Sequence, residues 1–379
     1  GGRMTNAALA RALVALAPLV SLAGGGLLGL MMLWRTPVRE RVIVGVATVA
    51  LMLGAVGSVA AAVVWALGAL APADLRYGRW LEAGEYGFDI VLRVDALSVV
   101  ASGLVAILLL ATSRFSTSYL HREPGFHRFF MLKLLFAGGM QVLVLSGSYD
   151  ILYAGWEIVG MTSVLLVGFF RERAGPIRAA TRVLVTYRAC DVGFLFAVVL
   201  LHHEAHTTEF TGLFGSGVAA VPATAAAFGL LLAAMGKSAQ VPVGGWLPRA
   251  MEGPTASSAV FYGGLSVHAG VFLLLRSWPL IEGLPLVRVA LVVVGAATAV
   301  MGAASSQASA DAKSAVAHAT ISQVGLMFVE CGVGLVDLAL VHVLLHATLR
   351  YYQFLRTPSA LEDALARRAV LGRTAPDEA

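Results

Sequence analysis

The sequence predicts an all-α integral membrane protein of about eleven transmembrane helices. Three observations carry that prediction. Hydrophobic residues make up 58% of the chain and charged residues 13%, with a mean hydropathy of +0.82; a soluble domain has roughly 25% charged residues. Apolar runs of about 20 residues, the length that crosses a bilayer core, recur along nearly the whole chain. Lys and Arg gather in the short connections between these runs. That placement marks topology and excludes nucleic acid as the reason for the net charge of +5.

In chain order the runs are 9–33, 42–69, 96–119, 127–146, 150–170, 177–201, 222–241, 255–277, 284–304, 312–333 and 335–355. The first is too long for the apolar core of a signal peptide and reads as a span. Between the second and third, Arg76–Arg93 alternates around Gly84 and Gly87, which predicts a small β-hairpin at the membrane surface. Gly24, Gly25 and Gly26 lie inside the first span, where they permit close helix packing.

Two spans are expected to be broken. Pro242 interrupts the run that carries Lys237, and Gly263 with Gly264 falls early in the run that carries His268. Proline removes a backbone donor, so non-helical backbone at that depth needs protein or water to satisfy it. Discontinuous helices near the midplane are a transporter device, because their ends present ion-binding dipoles.

The basic connections hold Arg35, Arg39 and Arg41, then Arg122 and Arg128, then Arg171, Arg173 and Arg178, then Arg249, then Arg356, Arg367, Arg368 and Arg373. By the positive-inside rule they face the cytoplasm. An odd number of spans then sets the N-terminus outside and the C-terminus inside a bacterial-type inner membrane. The expected organisation is 1–95 for N-terminal helices and hairpin, 96–277 for a first half-channel, 278–356 for a partial second one, and 357–379 for a cytoplasmic tail.

Within the spans stand Glu157, Arg188, Asp191, Lys237, His268, Lys313, His318, His342, His346 and Arg350. Charges at membrane depth cost at least ~2.5 kcal/mol each, so they mark function by default. Burial disfavours a charged amine and a nearby carboxylate favours it, so a moving carboxylate switches a buried lysine's proton. A Glu157–Lys237 pair is expected on that ground. Histidine titrates near neutral pH and passes protons through either ring nitrogen. His342, His346 and Arg350 recur every four residues, hence on one helix face. Lys313 and His318, five apart, align less well. Arg188 and Asp191 suit a structural salt bridge as well as a functional pair, and His268 suits a packing histidine equally.

Other signals are bland. Cys190 and Cys331 have neither disulfide nor metal spacing and read as small buried hydrophobes. His202-His203-Glu204-Ala205-His206 reads as a solvated external loop, since it lacks the spacing of zinc hydrolases. No phosphate-cradling loop or nucleophile elbow occurs. No catalytic, metal or cofactor site is expected.

The motifs Asp95-Ala-Leu-Ser98, His127-Arg-Phe-Phe130, Trp156-Glu-Ile-Val-Gly160, Arg188-Ala-Cys-Asp-Val-Gly193, Gly236-Lys-Ser-Ala-Gln240, Trp246-Leu-Pro248, Ala250-Met-Glu-Gly-Pro-Thr255, Asp311-Ala-Lys313 and Thr320-Ile-Ser-Gln-Val-Gly325, with His342 and His346, resemble the antiporter-like membrane subunits of respiratory complex I. Within that family the chain looks like the largest such subunit, a branch shared with multisubunit sodium/proton antiporters. The resemblance covers about residues 76–355. It implies two inverted five-helix repeats, each with a broken helix, joined by a hydrated polar axis. Carried over by position, Glu157 is the charge-coupling carboxylate with Asp191 beside it. Lys237 is the central lysine, Lys313 the bridging lysine, and His342 and His346 line the axis. Other membrane subunits, a soluble subunit and protons or sodium are the implied partners, in a translocase of the NADH-quinone oxidoreductase type.

The chain departs from the family at three places. Tyr262 stands at the usual histidine of the eighth span, with His268 appearing instead. Arg350 replaces the second central lysine, and arginine effectively never deprotonates. The family's next two helices and its lateral helix have no counterpart, so the second repeat is expected to be truncated. Such changes would also suit the sister group of membrane subunits in inorganic-carbon accumulation complexes, or a non-transporting assembly scaffold.

Overall fold

A computed structural model describes residues 2–33, 38–67, 73–83 and 86–357. Arg35, Gly84, the arginines Arg367, Arg368 and Arg373, and the expected cytoplasmic tail beyond residue 357 lie outside the described residues. The chain opens with α1 (Gly2–Leu33) and α2 (Glu40–Ala66). An antiparallel hairpin, β1 (Ala73–Ala83) and β2 (Tyr86–Val94), follows. Then come α3 (Ala96–Tyr119), α4 (Phe126–Val144), α5 (Tyr149–Val167), α6 (Ala174–Ala205), the short α7 (Phe210–Gly215) and α8 (Ala220–Lys237). After two 3-10 turns, Gly244–Trp246 and Pro248–Glu252, the span Thr255–Arg276 is assembled from unlike pieces. These are α9 (Thr255–Ser257), a π-helix (Ser258–Leu265), a 3-10 turn (Ser266–His268) and α10 (Ala269–Arg276). The chain continues through α11 (Trp278–Ile281), α12 (Pro285–Ala308), α13 (Ala312–Val333) and α14 (Val336–Arg356).

Ten of these segments are long and apolar enough to cross a membrane. The expected eleventh span is α14, a helix of 21 residues whose histidines and charges leave it too polar to count by composition. Outward faces are apolar, as lipid requires: on α6, Val185, Val192 and Val199 recur every seven residues and are well exposed. The hairpin turns Leu75, Val91, Leu92 and Val94 inward. It is pinned to the α4–α5 connection, where Arg93 N–H donates to the Leu145 carbonyl (2.7 Å) and Gly147 N–H to the Val91 carbonyl (2.9 Å).

Both expected breaks occur, with different geometry. The Lys237 helix ends at Lys237 itself, ahead of the expected limit at 241, and the backbone turns through Ala239 (φ 52°) and a cis Val241–Pro242 bond. Gly263 and Gly264 lie in the π-helical segment, where they make room for neighbours. A Cβ on Gly263 would stand 2.5 Å from Phe354, and one on Gly264 3.0 Å from Leu108. A π-helical turn inside a helix is rare and is frequently found at functional sites.

One expectation is corrected here. His202, His203 and Glu204 form the last turn of α6 and not a solvated loop, and His202 is buried with its ring stacked on Phe88 of the hairpin (4.8 Å between centroids). An imidazole next to an aromatic wall is drawn in by packing, which the polar look of the pentapeptide hides. Among the described residues no cluster of three His, Cys, Asp or Glu is placed to hold a metal ion.

Candidate functional site, a buried row of charges

Most of the expected site residues fall into three polar groups inside the helical body. The first joins α5, α6 and α8. Arg188 of α6 forms an ion pair with Glu157 of α5 and a second with Asp191 one turn along its own helix (3.0 Å). Trp156 donates its indole N–H to Asp191 (2.6 Å). Lys237, 1% exposed, donates to the Trp156 carbonyl (3.2 Å). Its ammonium also lies 4.7 Å from the Trp156 ring centroid and 4.3 Å from that of Tyr187. A ring face stabilises a cation by about 0.5–1 kcal/mol at exposed sites and by about 2 kcal/mol or more where both are desolvated.

The expected direct Glu157–Lys237 pair is not formed. Arg188 takes the Glu157 carboxylate, and Lys237 instead reaches the backbone of the residue before it. Two cations and two carboxylates therefore alternate as one cluster, in which Asp191 and Glu157 both act on Lys237 through space. The packing that allows this depends on one missing side chain. A Cβ on Gly160 would stand 2.8 Å from Lys237 Nζ and 3.7 Å from Arg188 Nη2. Gly160→Ala is expected to push the ammonium off the Trp156 carbonyl and lower proton flux several-fold while the fold persists, since only a flexible tip must move. Flux that stays at the wild-type level in proteoliposomes would show that this contact is idle.

The second group centres on Lys313 of α13, which donates to Thr255 Oγ1 at the start of the broken span (2.8 Å); Thr255 in turn contacts the Tyr119 hydroxyl (3.3 Å). His318 is half-buried on the same helix and joins none of the three groups. The third group lies on α14 and its neighbours. His342 meets Glu330 (2.8 Å) and Gln323 (3.2 Å) of α13. His346 meets His268 of the broken span (2.8 Å), and Arg350 donates its Nε–H to His346 Nε2 (3.0 Å). The i, i+4, i+8 spacing thus does place the three α14 side chains together, and His268 is a member of the row and not an isolated packing histidine. Tyr262 lies elsewhere, donating to the Ser163 carbonyl (2.8 Å). Beside Lys237 the Tyr187 hydroxyl is buried and faces the Ser266 hydroxyl, two residues before His268, and neither makes a hydrogen bond of good geometry to any other described residue.

Sequence reasoning missed three participants and one further buried charge. Glu330 and Gln323 bracket His342, and Thr255 receives Lys313. Lys133 of α4 is 1% exposed, its ammonium has no hydrogen-bond partner among the described residues, and the Phe130 ring lies 5.7 Å away. A single lysine inside the apolar run 126–144 was the available signal. Lys133→Met is expected to raise the unfolding temperature, because an apolar chain of similar length removes an unpaired buried donor. A thermal unfolding scan of the isolated complex measures this, and a marked fall would reveal a hidden partner.

The comparisons bear on the same residues. Residues 146–369 match the family model described as NADH:quinone oxidoreductase/Mrp antiporter, transmembrane, and residues 80–130 match the N-terminal model of complex I chain 5. NADH-quinone oxidoreductase subunit L of Mycobacterium tuberculosis is 36% identical over 280 residues, covering 73% of this chain and 44% of that protein. NADH-ubiquinone oxidoreductase chain 5 of Metridium senile is 34% identical over 290 residues, covering 76% of this chain and 48% of that protein. The chain thus spans about half the length of the curated relatives it matches. Among solved structures, the Mrp complex from Dietzia sp. DQ12-45-1b aligns with a TM-score of 0.74 at 26% identity, over 93% of this chain and 37% of that one. The archaeal membrane-bound sulfane sulfur reductase shares the fold, with a TM-score of 0.75 at 19% identity, over 92% of this chain and 70% of that one. With a multi-pass helical body, a broken span and a family match across more than half its length, the chain belongs to the NADH:quinone oxidoreductase/Mrp antiporter transmembrane family.

Proposed function

We propose that this chain is a proton-translocating, antiporter-like subunit of a larger membrane complex. One observation carries the reading: Lys237 is enclosed at the end of a helix of membrane-crossing length, bound to a carbonyl and two ring faces, with two carboxylates and a guanidinium beside it. A structural ion pair needs two charges. Four, of which the amine has no direct carboxylate partner, make a set whose proton occupancy follows small movements. In this reading Lys237 is the proton-holding amine, Glu157 and Asp191 set its charge, and Lys313, His342 and His346 continue the row through the membrane. His268 and Arg350 belong to the same row, and His318 stands at its margin. Residues 96–277 form one half-channel and 278–356 part of a second. The N-terminus faces out and the C-terminus faces the cytoplasm of a bacterial inner membrane. The partners are further membrane subunits and a soluble one.

The test is a complex isolated through a tag on this chain, reconstituted in vesicles with a trapped pH dye. Flux that disappears in Lys237→Ala and falls in Glu157→Gln supports the reading. Flux that persists in both, with assembly intact, leaves a scaffold. Mass spectrometry of the copurified subunits separates a quinone or antiporter assembly from an inorganic-carbon complex, which the substitutions at Tyr262 and Arg350 would suit.

A further inference from the structure

The contacts around His346 fix which of its nitrogens carries hydrogen. A guanidinium only donates, and Arg350 Nε–H points at His346 Nε2 (3.0 Å), so that nitrogen is bare. A neutral imidazole then carries its hydrogen on Nδ1. His346 Nδ1 lies 2.8 Å from His268 Nε2. That contact is therefore His346 donating to His268, which leaves Nε2 of His268 bare as well and places its hydrogen on Nδ1. His268 Nδ1 is buried without a hydrogen-bond partner of good geometry among the described residues, and the Gly264 carbonyl of the π-helical segment is the backbone acceptor acting on the ring. The three side chains form a one-way line of donors, Arg350 to His346 to His268.

Such a line is stuck. A proton reaching His346 at Nε2 would meet an N–H already aimed there, and Nδ1 is already occupied. Among the described residues the groups acting on His346 are His268, Arg350 and His342, and the carboxylate of this row, Glu330, is bonded to His342 instead. His342 does not fill the gap: its two nitrogens are taken by Glu330 and Gln323, and its ring centre is 6.0 Å from that of His346. Arg350 is held in place in turn, donating from Nη1 to Gln353 (2.6 Å).

We propose that Arg350 is a lock on the histidine row and not a carrier in it: by donating to His346 it fixes the hydrogen positions of the His346–His268 pair, and protons pass this point only when the guanidinium withdraws. Arg350 is on this account a positioning residue. The hydrogen positions follow from geometry alone, whereas the consequence for flux rests on the proton-translocating reading above.

The experiment uses the isolated complex with ring-15N-labelled histidine, the His346 signals being assigned by subtraction of a His346→Gln sample. The expected spectrum shows His346 with a protonated Nδ1 and a bare Nε2, and Arg350→Met mixes the two forms. Proton flux in vesicles is expected to rise about tenfold in Arg350→Met, the scale set by losing one hydrogen bond to a charged group. Arg350→Lys, which keeps a charge on a shorter and freer donor, should fall between. A wild-type His346 protonated at Nε2 overturns the proposal, as does an assembled Arg350→Met complex whose flux is lowered. If the spectrum is as expected but the raised flux survives Lys237→Ala, the hydrogen positions stand and the Lys237 pathway itself is what fails.

Discussion

In Lys237→Ala, proton flux is expected to vanish while the complex still assembles. The substitution removes the one amine in the first cluster and leaves its donors and rings in place. Asp191 keeps its Trp156 and Arg188 contacts, and Glu157 keeps Arg188. On the proposed reading what disappears is the proton-holding amine, and Arg188, which stays protonated throughout, does not stand in for it. Removing one station from a proton line closes it, so the effect should be of the order of 100-fold or more, the range associated with single proton-transfer groups. Glu157→Gln should cost less. Its carboxylate acts on Lys237 across Arg188, and Asp191 still supplies a negative charge close by. A dye-quench assay in vesicles reads both, and a Lys237→Ala complex that pumps normally would remove the basis for the functional reading.

The largest loss of stability is expected in Asp95→Ala. Asp95 caps α3 by accepting from Ser98 N–H (2.9 Å) and holds Arg276, whose guanidinium also donates to Ser98 Oγ (2.6 Å) and is nearly buried. Arg93 of the hairpin bonds the same carboxylate (3.0 Å), and the rings of Phe210 and Phe272 lie 5.5 and 5.6 Å from the Arg276 charge. One carboxylate thereby ties together the hairpin, α3 and the end of the broken span. Removing it strands a buried guanidinium, which typically costs about 3–5 kcal/mol. The pH dependence has a definite sign. Burial raises the Asp95 carboxyl, but the Arg276 and Ser98 bonds outweigh it and hold the group well below its ordinary 3.8. A depressed value means the stabilisation is complete at neutral pH and fades as the solution is acidified below that ordinary value. Thermal unfolding of the wild-type complex should therefore steepen in acid, and the Asp95→Ala complex should lack that part of the slope.

Which segments are apolar and which charges lie inside them was readable from the chain, and direction around each helix much less so. The apolar runs, the hairpin, both broken spans and most of the buried charges follow from local composition, because a charge inside a run of 20 apolar residues is visible without any fold. The alignment of His342, His346 and Arg350 followed from one helix's own period. Partners on different helices did not. That Glu157 pairs with Arg188 and Lys237 with a carbonyl depends on how α5, α6 and α8 are rotated, and on the room that Gly160 leaves. The same limit hid Thr255, an ordinary-looking residue until α13 meets the broken span there, and it hid the partner of Glu330, a charge visible in the run 312–333 that pairs with His342 only once α13 and α14 pack. The His202 segment failed for the opposite reason. Its polar composition was plain, but a neighbouring aromatic ring from a distant part of the chain decided its burial.

The glycines shared by α6 and α8 have a mechanical consequence. A Cβ on Gly193 would stand 2.6 Å from the Gly229 carbonyl oxygen, one on Gly229 2.4 Å from that of Gly193, and one on Gly236 2.4 Å from Cys190 Cβ. These two helices touch backbone to backbone, leaving no side-chain cushion to take up sliding or tilt. Asp191 and Lys237 ride on the two halves of that welded beam, so the backbone spacing between them is fixed for as long as the beam is whole, and only the side-chain tips are left to move. On the proposed reading, a helix-scale stroke that opens or shuts the distance between Glu157 and the amine is therefore assigned to α5, the helix that bears Glu157.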